Sequence, residues 1–249
     1  MFTSGPSLPK NQVLHLFTRN CALNYFFETL NTTRRRFFPL PNHPTILMII
    51  DHIGDGGAQQ FLKRLSVELS KQPFRVIVCP LQPPRNSEVI VLSELFETIT
   101  LSPRRFGLFG FFLLIRLIHR LQPDIVHTHL NAANIFGVIA ARLNGVPKIF
   151  SHDHSGTEYI KRFPILAKST LLPLERLLSR FLVKLFVVSR HVADVNIRVK
   201  KIYPNKIVVL PNWIEFHQFT FDAADRKHNR AAFGLSANSF VIGAVGRLS

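Results

Sequence analysis

A chain of 249 residues, 47% of them hydrophobic, is long enough to bury one sizeable core, and its length favours one or two domains. The formal net charge of +16 favours anionic partners: phosphorylated ligands, nucleic acid or an anionic membrane surface. No zinc-finger, RNA-recognition or helix-turn-helix pattern accompanies the charge, which argues against nucleic acid, and two cysteines exclude a disulfide framework.

The start of the chain lacks the continuous apolar stretch of a secretory leader. The most lipid-like run, LFGFFLLIRLI at 108–118, contains Arg116 and is shorter than the roughly 20 residues that span a bilayer. We therefore expect a core or interfacial helix there. Reduced cysteines and the missing leader indicate a cytoplasmic protein, which the basic charge would place on the inner face of the membrane as a peripheral protein.

The regular part of the chain begins at Thr45, after an irregular basic extension predicted for residues 1–44. From there, apolar runs of strand length alternate with segments of helical period. Strands are predicted at 46–50, 75–79, 95–101, 123–129, 148–152, 184–189 and 206–210. Helices are predicted at 56–70, 107–121, 131–145, about 165–182 and about 190–202.

This alternation predicts an α/β domain over residues 45–221, with a Rossmann-like parallel sheet and helices on both faces. Residues 222–239 are polar and basic and are predicted to form a linker. The apolar run FVIGAVG at 240–246 predicts one further strand. Because a lone strand cannot form a domain, we expect residues 240–249 to begin a second domain whose remainder is absent from this chain.

Ligands bind open parallel sheets beyond the carboxyl ends of the strands, so the polar residues that follow the predicted strands are candidate site residues. They are Asp51, His52, the loop 54–59, His127, Thr128, His129, Asn131, His152, Asp153, His154, Ser155, Ser189, Arg190, Pro211, Asn212 and Trp213.

The glycine-rich loop before the first helix is the first candidate. Gly56 and Gly57 would let backbone N–H groups approach a phosphate at the helix N-terminus, although a plain tight turn remains an alternative. A dinucleotide site is disfavoured for two reasons. Gln59 occupies the place of the third glycine of the fingerprint, and Cys79-Pro80 replace the acid that would bind ribose.

The histidines are the second candidate. His127 and His129 alternate along one strand, so their rings share a face, whereas His152 and His154 would have to turn to join them. Polar contacts to a sugar or phosphate are therefore favoured over a zinc site. A purely structural role is open for some of them, above all His152 and His154. Neither a G-x-S-x-G nucleophile motif nor a carboxylate pair spaced for glycoside hydrolysis occurs.

The motifs in this order resemble the N-terminal half of a family 4 glycosyltransferase of GT-B fold. The resemblance covers residues 45–249. Its segments are ILMIIDHIGDGGAQQFLKRLSVELS, PDIVHTHLNAANIFGVIAARLNGVPKIFSHDHS, LFVVSRHVADV, KIVVLPNWIEFHQF and VIGAVGRLS. The departures are Trp213 and Glu215, within the segment where the family has P-N-G-[IV]-D.

The resemblance implies roles residue by residue. Gly56 and Gly57 would lie close to the donor diphosphate and face the acceptor, and His127 or His129 would lie near the transferred sugar as the catalytic candidates. Arg247 would contact the donor phosphates. The substrate-binding set expected overall is Gly56, Gly57, Gln59, Asn131, His152, Asp153, Ser189, Asn212 and Arg247.

The function implied is transfer of a sugar, with retention, from a nucleotide sugar to a lipid-linked or polysaccharide acceptor, without a metal or other cofactor. The lysine and the glutamate pair that the family carries in its donor-binding domain lie beyond Ser249, so we expect no turnover from this chain alone. The alternatives are a non-catalytic binding module or truncated relic and, third, a zinc-dependent hydrolase built on the histidines.

Overall fold

The computed structural model describes residues 43–54, 56–82, 97–101, 106–156, 165, 167–212 and 221–243. The predictions on the extension 1–42, on Cys21 and on Arg247 lie outside these residues. The chain divides into two compact units, Met1–Trp213 and Ile214–Ser249, which are described separately.

The first unit is built on a seven-stranded sheet whose strand pairs are all parallel. Its strand order is β3-β2-β1-β4-β5-β6-β7, which confirms the predicted α/β class. The strands are β1 (Thr45–Ile50), β2 (Arg75–Pro80), β3 (Glu97–Thr98), β4 (Ile125–His129), β5 (Lys148–Asp153), β6 (Lys184–Val187) and β7 (Ile207–Val209).

The helices follow the predicted order, but several are shorter or less regular. They are α1 (Gly57–Ser70), α2 (Leu108–Leu121), α3 (Val138–Leu143), α4 (Leu172–Leu178) and α5 (Arg190–Arg198). A π-helical turn, Ala133–Gly137, precedes α3. Another, Ala167–Leu171, precedes α4, and a 3₁₀ turn, Ser179–Phe181, follows it. The single long helix expected at 165–182 is therefore a composite, and the helix expected to reach 202 ends at Arg198.

Two hydrophobic cores cover the two faces of the sheet, because successive strand residues point to opposite sides. Phe61, Leu62 and Leu65 of α1 pack with alternate residues of the strands, such as Met48, on one face. On the other face, α2, α3, α4 and α5 pack against the remaining strand residues. This arrangement confirms the prediction of helices on both faces. We call the four helices on the second face, α2 to α5, the α2–α5 layer, and α1 covers the first face.

At Gly137 the backbone of the α2–α5 layer approaches the sheet closely. A Cβ built at Gly137 would lie 2.7 Å from Cγ2 of Thr128 and 3.3 Å from Cδ1 of Ile49. We expect Gly137→Ala to lower the free energy of unfolding by about 1–3 kcal/mol through overpacking, despite the better helix propensity of alanine. Urea unfolding measures the change. Gly57→Ala is the matched control, since its Cβ meets only the Asn212 amide at 3.8 Å. Equal stability of the two variants would contradict the prediction.

The second unit contains a helix that the sequence pattern did not predict. Helix α6 (Ala223–Ala232) begins after Asp222, whose carboxylate accepts hydrogen bonds from the backbone N–H groups of Ala224 and Asp225. The expected linker at 222–239 is thus partly helical, because an N-cap aspartate and alanines outweigh its polar composition. Phe240–Gly243 are not in a strand, and residues 244–246 of the predicted strand lie outside the described part.

No helix among the described residues combines the length and the apolar character needed to cross a bilayer. Helix α2, the most apolar segment in the sequence, spans 14 residues. Cys79 is buried and carries a free thiol, as expected, and burial raises its pKa to about 12.

Candidate active site

Four histidines lie side by side on one face of the sheet, at the carboxyl ends of β4 and β5. The two strands are parallel neighbours, and their register pairs His129 with His152. In each H-x-H segment the alternation of a strand sends both rings to the same side. The expectation that His152 and His154 must turn to join His127 and His129 is therefore wrong. The sequence pattern already contained the alternation but not the register.

The rings form one closely packed group, which we call the histidine cluster (His127, His129, His152 and His154). The ring centroids of His152 and His154 are 4.1 Å apart and those of His127 and His129 are 4.2 Å apart. Nδ1 of His129 lies 3.3 Å from Nε2 of His154, within hydrogen-bond distance. The cluster thus spans both strands as a continuous packed unit.

Aromatic side chains from α1 and the neighbouring strands enclose the cluster. Phe61 of α1 lies edge-on to His152, with centroids 4.6 Å apart, and Phe186 of β6 lies 5.6 Å from His127. His127, His129 and His152 have 0% exposure, whereas His154 is partly exposed. The candidate catalytic residues His127 and His129 are therefore not on the open surface of this structure.

Burial fixes the protonation state of the cluster. It is the main cause that lowers the pKa of His127 to about 3 and that of His154 to about 4. The pKa values of His129 and His152 are also lowered well below the usual range, first by burial and then by the positive charge that neighbouring imidazoles would acquire. At neutral pH all four rings are neutral and offer lone pairs and N–H groups, not charge.

Three members of the cluster could present ligand atoms to one metal ion. Nitrogen atoms of His127, His129 and His152 lie within 4.8 Å of one another. The described acidic residues at this edge, Asp51 and Asp153, are engaged with backbone amides and with Lys200. Three histidines can hold zinc, but such a site keeps an open fourth position for water, whereas His127, His129 and His152 are fully buried.

We therefore expect the purified chain to contain zinc at well below one ion per molecule. Elemental analysis after dialysis against buffer without chelator measures the content, and His127→Leu provides the matched sample with one ligand fewer. One zinc ion per chain that is lost in His127→Leu would contradict the prediction and favour the metal-dependent hydrolase.

Asp153, predicted to bind substrate, points away from the histidines to the opposite face of the sheet. Its Oδ2 accepts hydrogen bonds from Asn196 and Lys200, at 2.9 and 2.8 Å, and its Oδ1 accepts from the N–H groups of Ser155 and Gly156. Burial alone would raise the pKa of Asp153, but the charge of Lys200 and these hydrogen bonds hold it at about 2.

Lys200 completes a buried ion pair beneath α4 and α5. Its Nζ lies 2.8 Å from Asp153 and 3.3 Å from Glu175 Oε2, and its side chain is 5% exposed. Burial would lower the pKa of Lys200, but the two carboxylates raise it above its usual value. This network joins β5 to two helices, so Asp153 has a structural role here. Sequence reasoning missed the network because its partners are distant along the chain.

Asp51, directly after β1, occupies the N-terminus of the helical segment that starts at Asn131. Its two carboxylate oxygens accept hydrogen bonds from the N–H groups of Ala132 (3.1 Å) and Ala133 (2.6 Å). Burial nevertheless raises its pKa. Asp51 thus blocks one helix terminus at this edge of the sheet to an incoming anion, and no local signal reveals a partner 81 residues away.

At the other helix terminus, that of α1, the first turn contains no acidic residue and Gly56 at the N-cap provides no side-chain cap. Asp55, which precedes it, lies outside the described residues. Gln59 is buried and its amide lies 3.0 Å from Nε2 of His52. A Cβ at Gly56 would meet the Gln59 carboxamide at 2.4 Å, so the glycine makes room for that side chain. Asn212 approaches Gly57 from the end of the sheet, which brings these predicted residues together.

The remaining predicted residues have simpler surroundings. Ser189 caps α5 by accepting a hydrogen bond from Val192 N, and Asn131 is partly exposed where β4 leads into the next helix. Asn134, which was not predicted, joins β4 and β5: it accepts from Thr128 Oγ1 and donates to the carbonyl oxygen of His152. Arg247 lies outside the described residues.

Comparisons with known proteins agree with this architecture. Over 140 residues the chain is 36% identical to the UDP-Gal:alpha-D-GlcNAc-diphosphoundecaprenol alpha-1,3-galactosyltransferase of Escherichia coli, covering 54% of this chain and 35% of that enzyme. The chain thus spans about a third of this curated relative.

Two solved structures share the fold. HepE from Anabaena in complex with UDP-glucose has a TM-score of 0.66 at 18% identity, covering 83% of this chain and 54% of that one. A glycosyltransferase from Rickettsia africae has a TM-score of 0.56 at 17% identity, covering 80% and 51%. The sequence profile of Glycosyltransferase Family 4 matches residues 55–218, and this chain belongs to that family.

Proposed function

We propose that this chain supplies part of the active site of a retaining glycosyltransferase that moves a sugar from a nucleotide sugar to a lipid-linked or polysaccharide acceptor. The observation that carries the proposal is the uncapped N-terminus of α1 beside Gly57 and Asn212. The N–H groups of its first turn and the helix dipole favour a diphosphate. Asp51 occupies the neighbouring helix N-terminus, that of the segment starting at Asn131. Of these two termini, that of α1 is therefore the one available to a phosphate.

The histidine cluster would contribute to this site mainly through the shape of its packed rings and not through charge. Because its rings are neutral, they would form hydrogen bonds with hydroxyl groups of a sugar without attracting a cation. His154, the partly exposed member, lies nearest to solvent, whereas His127 and His129 are covered. Contact between His129 and the transferred sugar remains our prediction, and it requires His154 or Phe61 to move.

The lipid-linked acceptor is supported by the galactosyltransferase relative, whose name includes a diphosphoundecaprenol acceptor. Helix α2 supports it too: Leu108 and Phe109 at its start are 90% and 70% exposed. An apolar helix start near the carboxyl edge of the sheet would hold an acyl or prenyl chain close to the site. A cytoplasmic site on the inner face of the membrane fits such an acceptor and stays a prediction.

The decisive experiment separates diphosphate binding at α1 from effects on folding. Calorimetric titration with UDP, GDP and their sugars is followed for Gly57→Asp and Gly57→Ala. A carboxylate at Gly57 would repel the diphosphate and should weaken binding about tenfold or more, whereas a methyl group fits beside Asn212 and should have little effect.

Incubating this chain with each nucleotide sugar and a prenyl-diphosphate-linked sugar tests transfer. We expect no product from the chain alone, and NMR of any product that forms assigns its anomeric configuration. Binding that is equally strong in Gly57→Asp and Gly57→Ala would place the diphosphate elsewhere. A product with inverted configuration would overturn the retaining mechanism.

A further inference from the structure

The exposed apolar surface of the first unit lies on one side of the sheet. Among the described residues of that unit, every large apolar side chain that is strongly exposed belongs to the α2–α5 layer or to the segments that join its helices. Examples are Phe109 on α2 (70%), Leu143 at the end of α3 (66%) and Leu177 on α4 (48%). Helix α1, on the opposite face, has none. Such a one-sided distribution indicates an interaction surface.

Cations accompany these apolar groups. Helices α2, α4 and α5 expose Arg116, Arg176 and Arg198, and the 3₁₀ turn after α4 exposes Arg180. Helix α2 contains no acidic residue, and α5 exposes one, Asp194. The guanidinium of Arg116 lies 5.9 Å from the centroid of Phe112, and that of Arg142 lies 5.2 Å from the centroid of Phe181. An apolar surface interleaved with cations matches an interface that is apolar and anionic at once.

A groove crosses this surface between α4 and the segment that follows α5. Its volume is about 470 Å³, within the range of small-molecule sites. Arg176, Arg180 and Lys201 supply its charge, while Leu177 and Val199, 48% and 43% exposed, supply apolar walls. Arg176 on α4 and Arg180 in the 3₁₀ turn that follows it both line the groove. No acidic side chain lines the groove among the described residues.

The floor of the groove is fixed by the buried ion pair. Lys200 lines the groove, and its ammonium group points inward to Asp153 and Glu175. This ammonium group offsets one of the two negative charges below the groove. The positive groups at its rim are Arg176, Arg180 and Lys201. The opening of the groove is thus positively charged, and the contacts of Lys200 with Asp153 and Glu175 fix the position of its floor.

We propose that this groove binds the phosphate headgroup of an anionic phospholipid while the α2–α5 layer rests on the bilayer surface. Arg176 and Arg180 would pair with the phosphate, and Leu177 and Val199 would contact the glycerol and upper acyl carbons. The charge complementarity selects an anionic lipid, and the exposed apolar residues select a bilayer over a free phosphate. The inference does not rest on glycosyl transfer, because lipid binding needs neither donor nor acceptor.

Sedimentation with vesicles tests the groove in the full 249-residue chain. Vesicles of phosphatidylglycerol mixed with phosphatidylcholine are compared with phosphatidylcholine alone at low ionic strength. The variant is Arg176→Gln with Arg180→Gln. The matched control is Lys63→Gln with Lys71→Gln, which removes one positive charge from α1 and one from the residue directly after it, on the opposite face. Circular dichroism verifies that both variants fold.

We expect the groove variant to bind anionic vesicles about 30-fold more weakly, and the α1 control to change binding less than about twofold. Equal weakening of both variants would show attraction by net charge alone and overturn the proposal. Unchanged binding of the groove variant would overturn it as well. Release of the protein by inorganic phosphate, but not by chloride of the same ionic strength, would assign the groove to a free anion instead of a lipid.

Discussion

Lowering the pH from about 7.5 to about 5.5 should reduce the free energy of unfolding by about 5 kcal/mol, because the histidine cluster is buried in its neutral form. Each of its four members has a folded-state pKa below the usual value. Each therefore contributes about 1.4 kcal/mol over this interval. The loss is comparable to the whole stability of many domains, so we expect the protein to approach unfolding near pH 5.

The sign follows from which state binds more protons. Below about pH 6.5 an unfolded histidine takes up a proton, whereas the folded cluster does not until the pH approaches about 3 for His127 and about 4 for His154. Stability is therefore full above about 6.5 and falls as the pH decreases. Asp153 acts in the same direction in a lower window: with a folded pKa of about 2, its contribution to stability is lost as the pH falls below about 4.

Urea unfolding at a series of pH values measures this dependence. His127→Leu, which replaces an imidazole by an apolar side chain of similar size, should reduce the loss between the two pH values by about a quarter. His119→Gln, on the exposed side of α2, should leave the loss unchanged. A stability that stays constant over this interval in the unmodified chain would show that the cluster is not buried as described.

Removing the ammonium group of Lys200 should destabilise the protein by about 3–5 kcal/mol, because Lys200→Met leaves a carboxylate buried without its partner. The side chains of Lys200 and Asp153 are 5% and 4% exposed, so water cannot replace the lost interaction. Adding Asp153→Asn should recover part of the loss. The amide would carry no charge, and its oxygen could still accept from the backbone N–H groups of Ser155 and Gly156.

Lys71→Met is the matched control for this experiment. Lys71 also pairs with a carboxylate, since its Nζ lies 2.9 Å from Oε1 of Glu68, but the Lys71 side chain is 56% exposed. Exposed pairs contribute about 0–1 kcal/mol, so the urea midpoint should hardly move. Two results would contradict the role assigned to the buried pair. The first is a Lys200→Met variant as stable as Lys71→Met. The second is a double variant, Lys200→Met with Asp153→Asn, that is less stable than Lys200→Met alone.

The Asp153 network shows which contacts could not be predicted from the sequence. The position of Asp153 after a strand correctly placed it at the carboxyl edge of the sheet. The alternation of a strand also sends its side chain opposite to those of His152 and His154. Its partners Asn196 and Lys200 lie more than 40 residues along the chain, and no local pattern indicates such contacts.

Helix ends show a similar division. The serine at 189 and the glycines before α1 are local signals, and the helices begin there as expected. The linker predicted from composition at 222–239 contains α6, because the side chain of Asp222 caps the first turn of that helix. Composition describes the average solubility of a segment, whereas a cap and good helix formers decide whether it is helical.

By itself, the sequence determined the parallel α/β architecture, the strand positions and the edge of the sheet at which polar residues gather. These depend on hydrophobic period and on short-range turn and capping signals, which a single chain displays directly. Only the tertiary structure decided that two H-x-H segments join into one buried neutral cluster, that Asp51 blocks one helix terminus while that of α1 stays free, and that the exposed apolar side chains share one face. The physical reason is that strand register and helix packing depend on contacts between distant residues, whose free energies no local pattern records.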